Sequence, residues 1–131
     1  MLSGGAVTWS SKKQPTVALS SMEAEYMALA NTAKESLWIR SLLTELKLKP
    51  TSSTPIHVDN RGTVEFTLNS GFHARSKHID IRHHFIRNTI TSNEVRVQRC
   101  ASQDNLADIF TKPLPKSTHE HLVEKLGMNT V

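Results

Sequence analysis

Cysteine is nearly absent from this chain: Cys100 is the only thiol among 131 residues. No internal disulfide can form, and a reducing compartment fits. Long hydrophobic runs are missing as well. No stretch approaches the ~18 apolar residues of a membrane helix, and the N-terminus has neither a basic lead nor a signal-type apolar core. These absences predict an intracellular protein with no membrane partner. Internal repeats and low-complexity segments are lacking too. One globular domain over residues 1–131, ending in a helical tail at 113–131, is the simplest organisation for this length. Acid is scarce at one end, since no Asp or Glu precedes Glu23.

What is present is basic. Sixteen Lys and Arg against twelve Asp and Glu give a net charge of +4 and a pI near 9.5. That balance favours a polyanionic partner and equally suits a plain soluble surface.

The most informative stretch is Ala18 to Leu29, a helix start that carries two carboxylates two residues apart. Ser20 with Glu23 three residues on predicts a capping box, in which Ser20 accepts a first-turn amide and Glu23 reaches back to the Ser20 N–H. Glu25 lies roughly 200° further round, at ~100° per residue. It is the acid left for chemistry. The helix that follows, from Met22 to near Lys47 before Pro50, repeats Tyr26, Leu29, Ala30, Ala33, Leu37, Leu42 and Leu46 at helical spacing. Arg40, Glu45 and Lys47 near its end suit a solvated face.

Alternation predicts three short strands: Ala6 to Ser10, Ile56 to Asp59 and Glu94 to Arg99. Asn60 can cap a short helix over Arg61 to Leu68, stopped by Asn69-Ser70-Gly71. Asp59 then stands where a strand ends and a helix begins, the place where α/β sheets carry ligands, or else serves as a local turn residue. Arg75 to Ile90 predicts a helix with Ile79, Phe85, Ile86 and Ile90 inward and Lys77, Arg82 and Arg87 outward. Four His and four Lys or Arg between His73 and Arg87 suit phosphate contacts. Zinc fits them poorly, because their spacings match no standard ligand pattern. Further on, Ser102 to Asn105 opens a helix containing Leu106 to Phe110, and Asp108 there is either half-buried and paired or facing a site. Ser117 with Glu120 predicts a second capping box, for a last helix closed by Gly127.

Glu25, Asp59 and Asp108 thus lie on three separate elements that could converge at one sheet edge. Carboxylates gathered without Cys or His suit hard cations such as Mg²⁺ or Mn²⁺. Two such ions roughly 4 Å apart can clamp a phosphodiester for hydrolysis.

Trp9-Ser10-Ser11-Lys12-Lys13-Gln14, Leu19 through Leu29, Val58-Asp59-Asn60, Lys77 through Arg82 and Leu106-Ala107-Asp108-Ile109 with Thr111-Lys112-Pro113-Leu114 resemble the ribonuclease H domain of copia-type LTR retrotransposon Pol polyproteins. The resemblance spans nearly the whole chain. It implies an α/β, ribonuclease H-like mixed sheet flanked by helices. The implied activity is Mg²⁺-dependent cutting of the RNA strand of an RNA:DNA hybrid, with four acids and two metal ions. The implied partners are that hybrid and the reverse transcriptase portion of the polyprotein, in a cytoplasmic particle or the nucleus.

By position, Glu25, Asp59 and Asp108 match three of the four acids, and Lys12, Lys13, Lys77, Arg82 and Arg87 are the implied nucleic-acid contacts. The family's first acid sits on its first strand, upstream of the Trp9 region, where this sequence has none. The resemblance therefore implies a domain without its first strand and most of its second, so that the Ile56 to Asp59 strand keeps one unpaired edge. It leaves two readings of function: a hybrid-cutting nuclease region, or a nucleic-acid-binding remnant that has lost its second metal site.

Overall fold

The computed structural model describes residues 4–14, 17–68 and 77–128. Its elements run α1 (Ser21–Glu45), β1 (Thr54–Val58), α2 (Arg61–Leu68), α3 (Lys77–Thr91), β2 (Val95–Arg99), two 3₁₀ turns (Ser102–Asp104 and Leu106–Phe110) and α4 (Lys116–Lys125). The fold is mixed α/β. By internal contacts the chain forms two compact bodies, Ala18–Arg99 and the pair of segments Met1–Val17 and Cys100–Val131.

In the first body β1 and β2 pair in parallel, with Thr54 opposite Val95 and Val58 opposite Arg99. A parallel pair needs a long crossover, which α2 and α3 lie within. Alternation decides what each strand buries: Ile56 and Val58 go inward from β1 and Val95 from β2, while His57 stays exposed. Tyr26, Leu29, Ala30 and Ala33 of α1, Phe66 of α2 and Ile86 of α3 complete this core.

The apolar spacing of α1 continues beyond its core-facing half. All its buried residues lie between Tyr26 and Ala33, whereas Leu42 and Leu46 are exposed. Arg40 is not merely solvated: its guanidinium donates to the Ser52 carbonyl at 2.7 Å and to Thr54 Oγ1 at 3.1 Å, fixing the loop that enters β1. The helix ends in a Schellman arrangement, with the Leu48 amide on the Leu43 carbonyl and the Lys47 amide on that of Thr44. Lys47 takes the left-handed position at φ 63°, which glycine occupies without strain. Lys47→Gly is therefore expected to raise stability by about 0.5–1 kcal/mol, read as a higher urea midpoint at unchanged slope.

In the second body, residues 6–10 form no strand. Val7 and Trp9 are exposed. Alternating residues become a strand only against a partner edge, and among the described residues the one sheet consists of β1 and β2. The stretch after Cys100 is more tightly wound than the expected helix, two 3₁₀ turns with Asn105 between them accepting from the Ala107 amide at 3.2 Å.

The last helix starts one step before the expected cap. Pro115 is its N-cap, without a side-chain bond, and the His119 amide meets the Pro115 carbonyl at 2.9 Å, so Ser117 falls inside the first turn. Gly127 closes it as expected at φ 73°, and a Cβ there would run into the Gly4 carbonyl. Leu122 and Leu126 are its buried residues.

Lys125 reaches from α4 to Asp104 at 2.6 Å, and the ammonium holds the Asp104 carboxyl below the usual carboxylate range. Because the carboxyl is depressed in the folded chain, the stability this pair adds is present above about pH 4, the unfolded value. It is lost as pH falls through the lower folded value. An acid titration of wild type against Asp104→Asn should show that limb only in the wild type.

Candidate functional site

The start of α1 follows its sequence. Ser20 Oγ accepts the Glu23 amide at 3.1 Å. The return bond differs by one residue, because the Glu23 carboxylate accepts the Leu19 amide at 2.7 Å rather than that of Ser20. Glu23 is thus engaged by backbone. Glu25, partly buried in the next half-turn, is outside that cap.

Asp59 is partly buried in the two-residue link between β1 and α2. The cap of α2 is carried by its neighbour: Asn60 Oδ1 accepts the Thr63 amide at 3.0 Å. The first turn of α2 then meets the first turn of α1, where Thr63 Oγ1 donates to the Met22 carbonyl at 3.3 Å. A Cβ at Gly62 would crowd the cap, standing 3.2 Å from Asn60 Oδ1, and would meet the Met22 sulfur at an ordinary contact distance of 3.6 Å. Glu25 lies three residues after Met22, and Asp59 three before Gly62. Both acids thus lie within four residues in sequence of the Met22–Thr63 contact between α1 and α2. Asn60→Ala is expected to cost about 1 kcal/mol through loss of the cap, measured by denaturant melt, and to loosen the link that holds Asp59.

Asp108 belongs to the second body, in the Leu106–Phe110 turn. It is half-buried and paired, the first of its two expected states: its side chain is 13% exposed and Lys112 lies at 2.9 and 3.0 Å from its two oxygens. Among the described residues, no three or more His, Cys, Asp or Glu are grouped so as to hold a metal ion. By chemistry the donors still suit a hard cation, and Glu25 and Asp59 supply two carboxylates from one body.

The basic residues divide. Lys12 and Lys13 are exposed; Arg82 and Arg87 are half-buried rather than fully outward; the side chain of Lys77, like residues 69–76, lies outside the described residues. The His-rich helix also departs from a wholly outward basic face at His83. His83 is buried at 6% exposure, with its ring 5.0 Å from Phe66 and 6.3 Å from Tyr26, so it serves the core and not a phosphate. Its position told as much: Ile79, His83, Ile86 and Ile90 follow helical spacing along one stripe. Burial also drives the Tyr26 phenol well above its ordinary pKa, with Arg87 partly opposing the shift.

No family model matches the chain, and no solved structure does. Curated sequences do. The chain is 46% identical over 125 residues, 95% of its length, to the retrovirus-related Pol polyprotein from transposon RE1 of Arabidopsis thaliana, where the match covers 8% of the polyprotein. It is 44% identical over 122 residues, 93% of its length, to that from transposon RE2 of the same plant, again 8% of the relative. Against the Pol polyprotein from transposon TNT 1-94 of Nicotiana tabacum the identity is 39% over 128 residues, 98% of this chain and 10% of that one. The chain is thus homologous to one segment of transposon Pol polyproteins, and spans a tenth or less of the length of these relatives. Among the described residues, no helix is long and apolar enough to cross a membrane.

Proposed function

We propose that the chain is the ribonuclease H region of a retrotransposon Pol polyprotein, hydrolysing the RNA strand of RNA:DNA hybrids beside the polyprotein's reverse transcriptase portion. The observation that carries this reading is the pairing of elements around Glu25 and Asp59: an acid at the C-terminal end of a parallel strand, and another on the helix whose first turn touches the element that follows. The homology to Pol polyproteins supplies a setting in which such hybrids arise.

In this reading Glu25 and Asp59 hold Mg²⁺ or Mn²⁺, with groups from the surrounding polyprotein completing the ligand set. The bound ions would supply an activated water and a counter-charge for the leaving oxygen. The chain's own contribution is to fix two carboxylates on packed elements, so that little reorganisation accompanies reaction. Lys12, Lys13, Lys77, Arg82 and Arg87 contact the phosphate backbone, which makes affinity fall with salt.

The test is a segment exchange. This chain replaces the matched 125 residues of the RE1 polyprotein, and the product is offered a hybrid labelled on either strand, a DNA duplex and an RNA duplex. Shortening of RNA in the hybrid alone is the expected result. Salt-dependent binding of every duplex, with no cleavage, would replace this reading with that of a binding module.

A further inference from the structure

Trp9 is 70% exposed, although tryptophan is on average a highly buried residue. It stands in an open stretch, Val7 through Lys13, every residue of which is exposed and without regular structure. Lys12 and Lys13 follow it, and among the described residues neither is held in an ion pair. An exposed indole and two exposed ammonium groups therefore lie within five consecutive residues of one open stretch.

We infer that Trp9, Lys12 and Lys13 form a binding strip for single-stranded nucleic acid, the indole stacking on an unpaired base and the lysines meeting flanking phosphates. Bases inside a duplex are stacked on each other and offer no free face. An unpaired strand offers one at every nucleotide, and base–aromatic stacking is tolerant of sequence. The four residues of chain from Trp9 to Lys13 reach at most ~14 Å, so the indole and the ammonium groups engage neighbouring nucleotides of one strand. The inference rests on reading the chain as a nucleic-acid-processing region, and adds the kind of strand that this stretch takes.

The chain has two tryptophans, so Trp38→Phe leaves Trp9 as the sole indole reporter. Titration with a single-stranded RNA 15-mer should quench its fluorescence, and a blunt RNA:DNA hybrid of equal length should quench it much less. Trp9→Ala should weaken single-strand binding, read by anisotropy of a labelled strand, roughly 5- to 150-fold. Replacing Lys12 or Lys13 by Ala should each lower the slope of log K against log salt by about 0.7. Because Trp9 is exposed, its variant should keep the wild-type circular dichroism. Unquenched Trp9, or a Trp9→Ala variant that binds as tightly as wild type, would overturn the proposal. The outcome is separable from the fate of the nuclease reading: stacking without hybrid cleavage sustains the strip alone, and cleavage without stacking removes the strip alone.

Discussion

Asp59→Asn in the exchanged polyprotein is expected to slow hydrolysis of the RNA strand by about 10³-fold or more. A carboxylate that holds a catalytic ion supports several kcal/mol of charge stabilisation in the transition state, and each ~1.4 kcal/mol is a factor of ten in rate. The substitution keeps the shape while removing the charge and turning one acceptor oxygen into a donor. Folding should survive it, because the α2 cap is made by Asn60, not by Asp59. Hybrid affinity should survive as well, since phosphate contacts come from Lys and Arg. The expected pattern is therefore a fall in turnover at nearly constant KM, measured by single-turnover cleavage. A rate within a few-fold of wild type would reduce Asp59 to a turn residue.

Phe66→Ala is expected to cost about 3–5 kcal/mol, a large share of the ~5–15 kcal/mol that holds a domain together. Phe66 is 6% exposed. It joins three helices through rings: Tyr26 of α1 meets it edge-on at 5.0 Å and 89°, and His83 of α3 at 5.0 Å and 63°. Removing the ring leaves a cavity among α1, α2 and α3, beneath the helices that carry Glu25 and follow Asp59. Stability and chemistry should fall together here, in contrast to Asp59→Asn. A urea melt should show the midpoint drop; a loss under about 1 kcal/mol would mean that the three rings do not carry this core.

The features legible in the sequence are those decided within a few residues. Ser20 and Asn60 accept amides three positions away, and Gly127 supplies the left-handed turn. The alternation of Ile56, His57 and Val58 needs only the pleat. Features that depend on distant partners, or on a competing signal nearby, were less legible. Ala6 to Ser10 has strand-like alternation, yet a strand forms only when another edge is offered. Ser117 satisfies a capping pattern, but Pro115 begins the helix first. Leu42 and Leu46 keep the helical spacing of α1 after the core beneath it has ended. The site shows the same division: separating Glu23 from Glu25, and pairing Asp108 with Lys112 four residues on, are local matters, whereas the ring contacts of His83 come from Tyr26 and Phe66 on other helices.

That separation also predicts which acid of this helix turn holds the metal. Glu23→Gln and Glu25→Gln differ by two residues on one helix turn and change the same chemical group. In Mg²⁺-dependent cleavage of an RNA:DNA hybrid by the exchanged polyprotein, Glu25→Gln should abolish the activity, and Glu23→Gln should retain it with a modest loss of helix stability. Equal activity in the two variants, or loss in Glu23→Gln alone, would contradict the assignment of Glu25 to the metal.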